Sequence, residues 1–304
     1  MKNKKVRKEF TENMLTPDDS GGHINWFPGH MNKAVKEIKK RLKMVDIVLE
    51  LRDARSPLVT GNSLVTEAIG EKSRMIIINK SHLADPAILS QWDVWFKKQE
   101  TPFQFIHDFD QSTLQNIISE AKRIIQNRRL ESNPDIDEKK VIRMMILGLP
   151  NTGKSTLINK LAKRKATKVA DKPGQTRTQL WVKVALGIEI LDTPGVMPPK
   201  IIKYEHGQWL SALHAIPDNI VTPEIPASYI IETLLKKESS FLKDLYQFKD
   251  LKVDTLGAIN HIAEIRGCLS AKGQYDYERV YKIILGDFRS GKLGLMSFGV
   301  PPVL

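Results

Sequence analysis

Gly148-Leu149-Pro150-Asn151-Thr152-Gly153-Lys154-Ser155 is a loop bracketed by glycines and ending in Lys-Ser. An apolar run at residues 141–147 leads into it, and residues 154–163 carry a helical pattern behind it. Gly-x-x-x-x-Gly-Lys-Ser between a strand and a helix is the signal of a phosphate-binding loop. Its glycines let backbone N–H groups close on phosphate oxygens, and the helix N-terminus adds its dipole. In that arrangement Lys154 reaches the β- and γ-phosphates and Ser155 ligates Mg2+. Pro150, Asn151, Thr152, Gly153 and Thr156 complete the nucleotide-binding segment. A mere glycine-containing turn would not need the strand, the helix and a downstream Asp-x-x-Gly together.

That downstream motif is Asp192-Thr193-Pro194-Gly195, at the end of an apolar run at residues 188–191. A carboxylate there holds the metal through water, and the Gly195 N–H faces the γ-phosphate. Thr176, in Pro173-Gly174-Gln175-Thr176, is the candidate switch threonine that closes on Mg2+ and the γ-phosphate. The base-reading box, Asn79-Lys80-Ser81-His82, follows the apolar run 75–78 and precedes both phosphate motifs instead of succeeding them. This order predicts an α/β fold, a circularly permuted Ras-like P-loop GTPase domain, over residues 23–215. The polar, proline-containing stretch at about 131–140 is then the linker joining the ends of the ordinary domain.

Short apolar runs at residues 46–51, 75–78 and 103–106 read as buried strands of a parallel sheet. Residues 114–127 read as a helix, and 181–184 with 188–191 as a hairpin pair. Val35, Ile38, Leu42 and Val45 recur at helical spacing, with Lys33, Lys36, Lys40 and Lys43 on another face. Helical patterns at 227–236, 256–266 and 276–290 predict a small all-helical C-terminal domain over residues 216–304.

The base box departs from the usual pattern at its fourth position. An aspartate there accepts two hydrogen bonds from the guanine edge, whereas a neutral imidazole offers one acceptor. His82 therefore removes the bidentate reading of guanine, and Asp85 is the next carboxylate in sequence.

Forty-seven Lys+Arg against thirty-five Asp+Glu give the 304-residue chain a formal charge of +12. A surplus of that size favours a polyanionic partner, nucleic acid first. A simply basic soluble protein is the plainer reading of charge alone. No apolar run approaches the roughly eighteen residues of a membrane span. The single cysteine, Cys268, cannot form an internal disulfide, which fits a reducing compartment. Residues 1–22 read as a basic, disordered N-terminal extension; they lack a secretory core, and Glu9, Glu12, Asp18 and Asp19 argue against a mitochondrial presequence. Cytoplasm is the expected location, with the mitochondrial matrix as the alternative in a eukaryote.

From about Ile24 to the C-terminus the chain resembles the circularly permuted YlqF/RbgA GTPases. The resemblance rests on Trp26-Phe27-Pro28-Gly29-His30-Met31, Asp53-Ala54-Arg55, the early Asn-Lys box, the later phosphate loop and Pro173-Gly174-Gln175-Thr176. It extends through Asp192-Thr193-Pro194-Gly195, Pro199-Lys200, Arg266-Gly267-Cys268 and Asp287-Phe288-Arg289. It implies a GTPase that assembles the large ribosomal subunit, binding a late precursor and its rRNA in the GTP state, stimulated by the ribosome and released after hydrolysis. It also implies a helical RNA-binding domain, and His30 as a catalytic residue in place of the glutamine that often follows Asp-x-x-Gly, since Val196 stands there. Related GTPases with asparagine at the position of Asn151 hold K+ beside the phosphates. A second departure is His107-Asp108-Phe109-Asp110, where a Ser-Ala-like pair is expected. The expected partners are GTP/GDP and the ribosomal precursor, with the protein a monomer. Two other readings stay open on sequence: an RNA-binding scaffold with a degenerate or base-relaxed pocket, and a GTPase acting in tRNA modification or at a membrane.

Overall fold

The computed structural model describes residues 24–25, 36–61, 66–67, 69–132, 140–163, 181–191, 200–201, 204–218, 220–269 and 273–303. In chain order the elements begin with β1 (Ile24–Asn25), α1 (residues 36–42), β2 (Ile47–Asp53), β3 (Ser73–Asn79), α2 (Pro86–Lys97) and β4 (Phe103–Phe105). Next come α3 (Gln111–Ser132), β5 (Ile142–Gly148), α4 (Lys154–Lys163), β6 (Trp181–Ala185) and β7 (Ile188–Leu191). The chain continues with β8 (Lys200–Ile201), α5 (Tyr204–Ala212), α6 (Glu224–Lys236), α7 (Ser240–Tyr246), α8 (Thr255–Ile265) and α9 (Tyr277–Arg289). Cα packing divides the chain into two compact units: Phe27–Pro199 with Gly299–Leu304, and Met1–Trp26 with Lys200–Phe298.

The first unit is built on a six-stranded sheet of order β4-β3-β2-β5-β7-β6. All neighbours are parallel except β6, which runs antiparallel to β7. Strands buried on both faces are largely apolar: β5 is so apart from Arg143, and β2 is so at residues 47–49 and 51, with its buried Glu50, Arg52 and Asp53 held in ion pairs. Ile47, Leu49, Leu51, Met144 and Ile146 pack with Ile117, Ala121 and Ile125 of α3 and Leu157 of α4. On the other face Val48, Met145 and Leu147 pack with Ile38 and Leu42 of α1, while Ile76 and Ile78 meet Trp92 and Phe96 of α2. Helices on both faces make this a three-layer α/β unit.

The order of the strands explains the order of the motifs. β2, β3 and β4 come first in the chain and fill one side of the sheet; β5, β7 and β6 come later and fill the other. The seam is the parallel β2–β5 pair, in register from Ile47↔Met144 to Leu51↔Gly148. Opening the chain at the linker and placing the β5–β7 half ahead of the β2–β4 half gives the unpermuted Ras-like order, so the circular permutation is visible in the sheet itself. Of the linker, residues 131–132 still belong to α3, and residues 133–139 lie outside the described residues.

α2 has a start written into its sequence: Pro86 occupies the first turn, and Asp85 accepts from the Ala87 N–H at 2.9 Å. Its Trp92, Trp95 and Phe96 form an aromatic cluster with Phe103 and Phe105 of β4, at ring separations of 5.0 to 6.4 Å. That cluster fixes the connection that carries the base box.

The second unit is helical, with a short antiparallel ladder in which Ile24 pairs with Ile201 and Asn25 with Lys200. Asp287 is buried and accepts from Tyr246 Oη at 3.1 Å, Arg266 at 2.8 Å and Lys292 at 3.1 Å. Arg289 forks onto both carboxylate oxygens of Asp218, at 2.8 and 3.0 Å, and also donates to the carbonyls of Ser211 and Ala212. The Arg266 and Asp287-Phe288-Arg289 motifs are therefore the ionic clasps of this helical unit.

Candidate nucleotide site

In an open parallel sheet, ligands bind beyond the carboxyl ends of the strands. The carboxyl ends of β3 and β5 converge here. Asn79 ends β3, Gly148 ends β5, and the loop after β5 runs into the N-terminus of α4. A cavity of about 370 Å3 opens between them, lined by Asn79, Lys80, His82, His107, Asp108 and Phe109 on one side and Asn151, Gly153, Lys154, Ser155, Thr156 and Lys160 on the other. A larger cleft of about 720 Å3, beside β4 and α3, contains none of these phosphate- or base-directed groups.

The two halves of the permuted domain grip each other at this cavity. Asn79 is buried, and its Nδ2 donates to the Thr152 carbonyl at 2.9 Å. Gly153 has φ +105°, and a Cβ there would run into the Asn79 amide, so both backbone strain and space demand glycine. Lys80, itself left-handed at φ 63°, donates to the Asn151 carbonyl at 2.7 Å and to Asp53 Oδ2 at 3.0 Å. The box thus braces the phosphate loop from below as well as facing the base side.

Within the loop, Thr152 and Lys154 both turn inward. Thr152 Oγ1 donates to the Leu149 carbonyl at 2.9 Å, and Lys154 Nζ donates to the same oxygen. Thr152 is buried and Pro150 half-buried, and neither lines the cavity; their part is to shape the loop. The Lys154 ammonium is pulled down to about 8, by burial first and then by the charge of Lys80. It is a cation held short of solvent and short of a counter-ion, which a polyphosphate would supply.

Ser155 and Thr156 are exposed in the first turn of α4 and line the cavity. Ser155, exposed at a helix N-terminus, carries an oxygen donor of the right hardness for Mg2+. The other expected ligands, Thr176 and Asp192, lie outside the described residues, as do His30 and Gly195. Among the described residues no cluster of three or more His, Cys, Asp or Glu could hold a metal.

His82 lies where the box predicts, lining the cavity, and its ring centroid is 4.4 Å from that of His107. Asp85 is engaged as the cap of α2 and is not among the residues lining the cavity. One group escaped the sequence reading, and another, Asp53, entered it only as part of the Asp53-Ala54-Arg55 motif. Lys160 lines the wall one turn beyond Thr156, a spacing that helical periodicity could have exposed. Asp53 sits beneath Lys80, bonded to Arg55 Nε at 3.0 Å and NH2 at 2.9 Å.

Residues 143–242 match the family described as 50S ribosome-binding GTPase. Ribosome biogenesis GTPase A of Bacillus pumilus is 37% identical over 278 residues, covering 91% of this chain and 99% of that protein. The chain belongs to the ribosome biogenesis GTPase A family. The protein is accordingly a GTPase. The match extends to mitochondrial ribosome-associated GTPase 1 of Xenopus tropicalis, 35% identical over 222 residues, or 69% of this chain and 70% of that one. Among solved structures, the GDP-bound structure of YlqF from T. maritima superposes with a TM-score of 0.61 at 26% identity, over 87% of this chain and 99% of that chain. The GNP-bound YlqF structure from T. maritima gives 0.60 at 25% identity, over 90% and 100%. No helix among the described residues is long and apolar enough to cross a membrane.

Proposed function

We propose that this GTPase is an assembly factor for the large ribosomal subunit, which binds a late precursor in its GTP state and leaves after hydrolysis. The observation that carries the reading is the cavity in which the base box of one half-domain and the phosphate loop of the other meet. Lys154 neutralises the β- and γ-phosphates there, while Asn79, Lys80, Asn151 and Gly153 shape the pocket. Ser155, with Thr176 and Asp192, would hold Mg2+, which supplies charge neutralisation on the phosphates when bound. Gly195 directs its N–H to the γ-phosphate, so that the switch segments respond to hydrolysis.

His30 positions the attacking water, since Val196 has no polar atom with which to do so. Supporting this, Asn25, five residues before His30, is paired with Lys200, five residues after Gly195. The rRNA partner is supported by the charge of +12 and by Lys36, Lys39, Lys40 and Lys43, exposed on and just after α1. The protein works as a monomer in the cytoplasm.

Gradient sedimentation of the protein with large-subunit precursors tests the function directly. Co-migration is expected with a non-hydrolysable GTP analogue and its loss with GDP. A difference of ~3 kcal/mol between the two states would change occupancy about a hundredfold. Absence from the particle fractions in both states would defeat the ribosomal reading.

Asn151 stands at the loop position suited to hold K+ beside the phosphates, with a left-handed backbone of φ 59°. Turnover should then be higher in KCl than in NaCl at equal ionic strength. Equal rates in both salts would remove potassium from the scheme.

A further inference from the structure

The purine side of the cavity has acceptors of an unusual kind. His82 and His107 face one another, centroids 4.4 Å apart and planes tilted by 48°, both exposed and both lining the cavity. Each of the two nearby carboxylates has one oxygen engaged by a backbone N–H. Asp85 accepts from Ala87 N at the head of α2, and Asp108 Oδ1 accepts from Asp110 N at 3.1 Å. Guanine presents two adjacent donors, N1–H and the 2-amino group, next to its 6-oxo acceptor. Hypoxanthine keeps N1–H and the 6-oxo group and lacks the amino group. Adenine carries no hydrogen on N1. A carboxylate accepts both guanine donors in charge-assisted bonds; an imidazole supplies one neutral nitrogen acceptor.

We propose that the imidazoles of His82 and His107 stand in for the missing carboxylate, so that the pocket accepts 6-oxopurine nucleoside triphosphates as a class, inosine nucleotides nearly as well as guanosine nucleotides. The inference rests on the assignment of this cavity to GTP. A neutral hydrogen bond to the 2-amino group discriminates by less than about tenfold, whereas a bond to a charged acceptor is worth on the order of 10- to 100-fold. The substrate range is therefore set by two residues from two different loops, after β3 and after β4.

Competition by GTP, ITP and ATP against a fluorescent GTP analogue, on the full chain with Mg2+, tests this. The unaltered protein should bind GTP and ITP with affinities within about tenfold, and ATP more weakly than either. His82→Asp should widen the GTP:ITP ratio by roughly tenfold or more. Asp108→Asn should leave the ratio where it was. A GTP:ITP ratio above about tenfold in the unaltered protein overturns the proposal, and its collapse in Asp108→Asn would name Asp108 as the reader instead. Equal competition by ATP overturns it too, because adenine has no N1–H to be read. Failure of all three nucleotides to compete would overturn the cavity assignment itself, an outcome distinct from guanine selectivity.

Discussion

Lys154→Ala should weaken GTP binding by ~2–5 kcal/mol, the range for truncating one partner of a buried charge pair. Affinity then falls between roughly thirtyfold and a few thousandfold. The fold should survive, because in the unliganded protein the ammonium is buried against a single carbonyl, that of Leu149, and carries a desolvation cost. The sign of the pH dependence follows from its lowered value of about 8 against the ordinary 10.5. Between those two values the unfolded chain holds more protons than the folded one, so the unliganded protein gains stability as pH rises from about 8 toward 10.5.

Nucleotide affinity should run the other way. The triphosphate favours the charged lysine, so affinity is flat below about pH 8 and declines above it, by up to about tenfold per pH unit. Titration calorimetry from pH 7 to 9.5 reads the slope, and Lys154→Met should abolish it. Binding by Lys154→Ala within about threefold of the unaltered protein would place the triphosphate elsewhere.

Much of this site could be read from sequence because its parts are local. The phosphate loop, the strand before it and the helix after it are contiguous, and α4 spans Lys154–Lys163, the range that periodicity predicts. The run at 75–78 became β3 because a buried parallel strand leaves an unbroken apolar signature, and 188–191, read as a hairpin strand with 181–184, became β7 antiparallel to β6. α2 was missed although Asp85-Pro86 announces it, since an aspartate so near the base box invites a ligand reading while a cap uses the same oxygen. α5 and α7 were missed for another reason: both are short, at 9 and 7 residues, too brief to display an apolar stripe. The brace between Lys80 and Asp53 could not be read at all. It depends on the parallel register Asp53↔Asn79, which local sequence does not encode.

That brace is the basis of the second large effect. Asp53→Asn should destabilise the GTPase domain by ~3–5 kcal/mol, the cost of leaving a buried charge without its partner. Asp53 is 2% exposed and Arg55 2% exposed, and the carboxylate receives Arg55 Nε, NH2 and backbone N–H as well as Lys80 Nζ. Burial alone would raise the Asp53 carboxyl; the charges of Arg55 and Lys80 outweigh it and hold it far below the usual carboxylate range. A depressed carboxylate contributes stability that is present above its unfolded pKa and disappears as pH falls through the folded one. The substitution should therefore cost the same at pH 5 and pH 8, and the native protein should lose this contribution only in strong acid. Double substitution of Asp53→Asn with Arg55→Met should recover much of the loss, because the penalty comes from a buried guanidinium that has lost its carboxylate and not from the missing pair. GTP affinity should fall in the single variant as well, since Lys80 loses the anchor that keeps it on the Asn151 carbonyl. Urea denaturation of the two variants beside the native chain, at pH 5 and pH 8, measures the stability claims, and titration with GTP measures the affinity. A loss under about 1 kcal/mol in Asp53→Asn would mean that water reaches Arg55 and that the network does not brace the loop.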